Sequence, residues 1–178
     1  MTERQEFRVI RSYNGFELRE YLPCSLAEVK VSADLASAGS LAFRSLFQYI
    51  SQGNKRSEKI AMTAPVISAQ KADKAADDEW FVSFVMPAGS TVEHLPDPSD
   101  PRVVLRQLDA ETCIAASFRG RADEDVMKKK VAELRALAAK ENIALSEETR
   151  ICRFDPPMKP GFLQYNEIVI PISKNHSK

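Results

Sequence analysis

The residues able to do chemistry in this chain are few and scattered. Histidine occurs twice, at His94 and His176, and cysteine three times, at Cys24, Cys113 and Cys152. An odd number of distant cysteines with no Cys-x-x-Cys pair predicts neither a disulfide framework nor a zinc site. Two histidines in loop sequence give too little to build a Ser-His-Asp or Cys-His arrangement. No GxGxxG or P-loop is present to cradle a phosphate. One carboxylate stands apart: Glu167 follows Asn166 at the head of the apolar run EIVIPI, where a charge is costly unless paired or used. Apolar surface is better represented. Phe43, Phe47 and Ile50 follow one another at spacings of four and three, which places them on one face of a helix. The stretch from Glu58 to Ile67, EKIAMTAPVI, then returns Met62 on a strand of small and soft side chains. This pattern predicts the wall of a binding pocket.

The elements that must carry these residues are legible in chain order. Glu6 to Ser12 and Phe16 to Tyr21 read as strands, joined by Tyr13-Asn14-Gly15, whose Asn-Gly pair suits a tight hairpin. In the second strand Phe16 and Leu18 face one way, Glu17 and Arg19 the other. After Pro23 a strand runs from Leu26 to Val31, and Ser32 to Gly39 is a polar connection into a first helix. That helix spans Leu41 to Ile50 and is stopped by Gly53-Asn54. Ile60 to Ile67 alternates, with Ile60, Met62, Ala64 and Val66 on one side and Pro65 marking an edge, a bulge or an end. Ser68 to Glu79 is a solvated loop without function. Trp80 to Met86 is a central strand buried on both faces.

Pro96, Pro98 and Pro101 make a stiff crossing near the middle of the chain. Arg102 to Leu108 and Thr112 to Arg119 then read as a strand pair. Asp123 caps a second helix running to about Glu141, with Met127, Val131, Leu134 and Ala138 as its buried stripe. The run Lys128-Lys129-Lys130 is its solvated face. Thr149 to Phe154 and Glu167 to Ile172 are strands, separated by a proline-rich loop from Asp155 to Gly161. The order of elements in residues 7–87 recurs in 102–172. The expectation is one α+β domain over residues 1–178, an antiparallel sheet carrying two helices with pseudo-twofold symmetry. A cleft between helix and sheet is the default ligand position.

Composition narrows the function classes. The 178 residues are 44% hydrophobic, enough for one core, and 25 basic residues balance 25 acidic ones. A formal charge of zero argues against nucleic acid as a partner. The charged start, MTERQEF, lacks the apolar core of a secretory signal, and no run reaches the roughly 18–20 apolar residues of a membrane span. The expected location is the cytoplasm.

Taken together, GFELREY, LAFRSLFQYISQGN, KIAMTAPV, WFVSFVMP and DPPMKPGFLQYNEIVIPI resemble the SOUL haem-binding protein family over about Phe7 to Ile172, and the closing block resembles its bacterial members. The resemblance implies a distorted antiparallel barrel or curved sheet flanked by two helices, with a βαββ-like repeat. It implies a non-enzymatic carrier or buffer of haem or another tetrapyrrole, held in an apolar cleft beside the first helix without a histidine axial ligand. Carried onto this chain, Phe43, Phe47 and Ile50 would form the apolar floor, with Met62 opposite and Arg44 reaching a propionate. Lys55 and Arg56 read as solubilising charges, and Met158 to Leu163 would cover the ligand or cap the core. The architecture also resembles effector-binding and gyrase-inhibitor-like domains. Those imply an alternative, a small-molecule or hydrolase-like pocket centred on Glu167.

Overall fold

A computed structural model describes residues 2–71 and 78–174. Eleven strands and two long helices follow in order: β1 (Glu3–Arg4), β2 (Phe7–Tyr13), β3 (Phe16–Tyr21), β4 (Cys24–Ser32), α1 (Leu35–Ile50), β5 (Thr63–Ala64), β6 (Val66–Gln70), β7 (Glu79–Val85), β8 (Val104–Leu108), β9 (Glu111–Arg119), α2 (Glu124–Lys140), β10 (Thr149–Arg153) and β11 (Tyr165–Pro171). Nine of them form one curled antiparallel sheet in the order β2-β3-β9-β11-β10-β6-β7-β4-β8. β1 and β5 make a separate parallel pair. The fold is α+β, as the repeated order of elements predicts.

Apart from the edge strand β2, the strand order is balanced about the central β6–β10 pair. Moving outward, β7, β4 and β8 lie on one side and β11, β9 and β3 on the other, with β2 added outside β3. Strands on either side of the proline crossing are therefore exchanged: β3 pairs with β9, and β8 with β4. This corrects the expected pairing of 102–108 with 112–119. Sequential strands usually pair or neighbour one another, but here each pairs instead with a strand from the other side of the crossing.

The first helix starts earlier than its apolar spacing suggests. Asp34 caps it by accepting from the Ser37 backbone N–H at 2.9 Å, so Leu35 to Gly39 is helix and not connection. Its buried stripe is Leu35, Ala38, Ala42, Ser45, Leu46, Tyr49 and Ile50. The small residues in it let the helix lie close on β4 and β7. At the other end Gln52 adopts the left-handed conformation, φ 91°, and Gly53 follows with its α-carbon so close that a Cβ would meet the Gln48 carbonyl oxygen at 2.5 Å. Glycine is needed there for approach, while Gln52 supplies the turn. Asn54 locks the link, donating to the Tyr49 and Glu58 carbonyls.

The predicted strand over Ile60 to Ile67 is shorter and broken. Ile60 to Met62 is outside any strand, with the Ile60 N–H donating to the Ile50 carbonyl at 2.8 Å. Pro65, preceded by a cis peptide bond, separates β5 from β6. The hairpin at Asn14-Gly15 is as read, with Gly15 at φ 92°. α2 is capped by Asp123 and buries Met127, Leu134 and Ala138. The loop expected over Ser68 to Glu79 is instead strand to Gln70, and residues 72–77 lie outside the described residues, as does His176.

Alternation gives the sheet two different faces. One carries the helices over a large core that includes Phe16, Leu46, Tyr49, Trp80, Phe84, Ile114 and Ile151. The concave face holds a smaller apolar cluster that includes Tyr21, Ile67, Val85, Cys113, Cys152 and Val169. No helix among the described residues is long and apolar enough to cross a membrane.

Candidate functional site

Two places could receive a ligand, one on each face. On the helix side, Phe43 and Phe47 lie on the shoulder of α1, beside its buried stripe. They are 37% and 49% exposed, and their rings stack at 5.7 Å with planes 13° apart. Phe43 also meets Phe84 of β7 edge-on at 5.5 Å, which fixes the pair on the sheet. Ile50 shares their arc, as the spacing predicts, but is only 3% exposed and belongs to the core. It can support a ligand face without forming its surface. Arg44 is exposed on the neighbouring part of the helix. Met62 is exposed, two residues beyond the point where the chain bonds to the end of α1.

Potential iron donors are poorly placed. Cys24, Cys113 and Cys152 are free thiols. Burial pushes all three up, Cys152 to about 12, so the thiolate that would bind metal is disfavoured. His94 is exposed, and its Nδ1 lies 2.6 Å from the Thr91 hydroxyl. Arg56 donates to the His94 carbonyl, which ties the two loops together. No metal-binding cluster occurs among the described residues.

On the concave face, the N-terminal segment straps a cavity of about 300 Å³ lined by Arg4, Phe7, Arg19, Tyr21, Phe154, Tyr165 and Glu167, among others. Glu167 is 4% exposed and Arg19 5%. Arg19 Nη1 and Nη2 donate to the two Glu167 oxygens at 2.9 and 3.0 Å, and its Nε donates to Glu17 at 2.8 Å. Tyr165 adds a hydroxyl donor to Glu167 at 2.8 Å, and Tyr21 accepts from Arg19 at 3.0 Å. Burial works against the Arg19 charge, but the bonds to Glu167 and to the Tyr21 oxygen outweigh it and hold the guanidinium firmly protonated. Burial pushes both phenols up, that of Tyr165 further through its bond to Glu167, so each stays neutral. Phe7 lies 4.1 Å from the Arg19 guanidinium. The costly carboxylate is therefore paired, by an arginine 148 residues away that alternation places on the face of its strand opposite Phe16 and Leu18.

Elsewhere, Met158 and Phe162, from the proline-rich loop, are 93% and 75% exposed and do not cap the core. Lys55 and Arg56 are exposed. Arg153, unremarkable in sequence, is partly buried between the helices, and its hydrogen-bond partners among the described residues are neutral. Its face was legible only through the strands flanking it.

Residues 2–171 match the family described as SOUL heme-binding protein. The chain is 26% identical over 149 residues to heme-binding protein 1 of Xenopus laevis, covering 82% of this chain and 78% of that protein. Among solved structures, the EcmrR C-terminal domain superposes with a TM-score of 0.69 at 15% identity, covering 89% of this chain and 97% of that one. A hydrolase from Listeria innocua gives 0.64 at 15% identity, covering 92% and 94%. Likeness at such identities speaks for the shared fold and not for a shared activity.

Proposed function

The chain belongs to the SOUL heme-binding protein family, and on that premise we propose that it holds haem or a related tetrapyrrole against the aromatic arc of α1, as a carrier or buffer. The observation that carries this reading is the exposed, stacked Phe43–Phe47 pair. A core helix has no packing reason to leave two phenylalanines in water beside an already filled buried stripe. A flat macrocycle laid on them buries on the order of 400 Å² of apolar surface, roughly 10 kcal/mol gross at about 25 cal/mol per Å². Association costs of at least about 4 kcal/mol leave roughly 6 kcal/mol, or tens of micromolar, before any charge pairing.

The residues fit such a ring better than they fit its metal. Met62, exposed near the end of α1, would be the side chain to offer a thioether to the iron if haem were bound. Apolar contact with Phe43 and Phe47 operates without it, and Ile50 backs them from the core. Haemin titration followed in the Soret region, with protoporphyrin IX in parallel, tests the reading. Saturable binding of both at similar affinity supports it. Binding of haemin alone would replace it with an iron-ligated site, and binding of neither would overturn it.

A second reading rests on the concave cavity, as a small-molecule effector pocket beside Glu167. At about 300 Å³ it lies at the small end of ligand sites, which run to roughly 1,000 Å³, and suits one or two rings better than a macrocycle. A cationic ligand seeking Glu167 would have to displace Arg19. Calorimetric titration with a lipophilic ammonium compound, on the native chain and on Glu167→Gln, tests this; equal affinities would dispose of it.

A further inference from the structure

The two helices leave a strip of sheet between them, and one cation faces it without a counter-charge. Across three adjacent strands Phe84, Val66 and Arg153 are register partners, so their side chains share the helix-bearing face. Phe84 touches Phe43 at one end of this row. Arg153 stands at the other, two strand spacings or roughly 10 Å away. Its Nη1 donates to the Ser68 hydroxyl at 3.3 Å and its Nη2 to the Ala122 carbonyl at 3.1 Å. Both acceptors are neutral, and among the described residues Arg153 has no carboxylate partner. The guanidinium lies against α1 at Gly39, where an added Cβ would come within 3.7 Å of Nη1. Gly39 is one turn before Phe43 on the same arc of the helix.

A partly buried cation without a carboxylate partner carries an uncompensated desolvation cost, which an anion seated on it would offset. Loss of hydration lowers the hold of Arg153 on its proton, in keeping with that missing counter-charge. We propose that Arg153 is a carboxylate seat between α1 and α2, and that it receives a propionate of the tetrapyrrole stacked on Phe43 and Phe47. It takes the role that the sequence suggests for Arg44, whose exposed charge is already hydrated. The inference rests on the α1 reading above. The row from Phe43 through Val66 to Arg153 spans about the reach of a tetrapyrrole and its propionate arm, and arginine suits a carboxylate through its planar fork.

The experiment compares protoporphyrin IX with its dimethyl ester, which has the same ring and no carboxylates. Arg153→Gln should weaken binding of the free acid at least about tenfold, the scale of one charge-assisted hydrogen bond, and leave the ester unchanged. Arg153→Lys should recover part of the loss, and Arg44→Gln should change neither. In the ligand-free protein Arg153→Met should leave the denaturation midpoint unchanged or raise it, because it removes a partly buried charge without a carboxylate partner. A lower midpoint would instead mark Arg153 as an ordinary structural residue and overturn the proposal. Equal losses for acid and ester, or an unaltered affinity for the acid, would also overturn it while leaving the α1 reading standing. Failure of the native protein to bind either compound would remove both.

Discussion

Each face of the sheet draws an arginine in from solvent, Arg19 fully and Arg153 in part, and the company each keeps is opposite. On the concave face Arg19 is met by Glu167, Glu17 and Tyr21. On the helix-bearing face Arg153 meets, among the described residues, a hydroxyl and a carbonyl. The first charge is complete within the chain, and the second is left with capacity to spare. The aromatic residues divide the same way. Phe7 lies over Arg19, whereas Phe43 and Phe47 stack only on one another and on Phe84 while facing water. A satisfied polar network stabilises a fold, and an unsatisfied one beside exposed aromatic surface invites a ligand.

The contrast can be broken most forcefully on the concave side. Glu167→Leu strands a buried guanidinium and should cost about 3 kcal/mol by chemical denaturation, near the low end for such pairs because Glu17 remains. Adding Arg19→Met should recover most of that loss; if it does not, the pair is more than a mutual neutralisation. On the other face Phe47→Asp should reduce porphyrin affinity by tenfold or more, since a charge replaces apolar contact. Its stability should change by no more than about 0.5 kcal/mol, as for other exposed sites, with the circular dichroism spectrum retained. An unchanged affinity would remove the helix arc from consideration.

The smallest effect concerns the crossing segment. Hydrogen bonds from Arg102, with a further one from Ser45 of α1, hold the Asp100 carboxyl below its ordinary 3.8, at about 2. A group depressed on folding contributes stability that is present above its unfolded value and lost as pH falls through the folded one. The anchorage of the crossing to α1 should therefore weaken between about pH 4 and pH 2. Asp100→Asn should flatten that part of the thermal midpoint profile, and an identical profile would show that the contact contributes nothing.

Much of this was legible beforehand. Period-two and helical spacing gave the elements, and the interval between Phe43, Phe47 and Ile50 correctly put them on one arc. Spacing cannot say whether an arc faces core or water. Here the core-facing stripe includes Ala38, Ala42 and Ser45, which look less apolar than the exposed phenylalanines beside them. Local pattern was equally silent on Arg19 and Arg153. Each reads as a polar strand residue, and its fate depends on strands distant in sequence, such as the pairing of Glu17 with Ala115. Glu167 was visible as a costly charge, yet its partner was not.

The strand exchange across the proline crossing carries its own consequence for how the chain acquires its structure. Pairing β3 with β9 and β8 with β4 means that neither segment can complete its sheet before the other has been made. Contacts so distant along the chain raise the cost of loop closure and slow folding, and they bind the whole into one cooperative unit. Cut at the crossing, the two fragments should each stay unstructured alone and regain the native circular dichroism spectrum only when mixed.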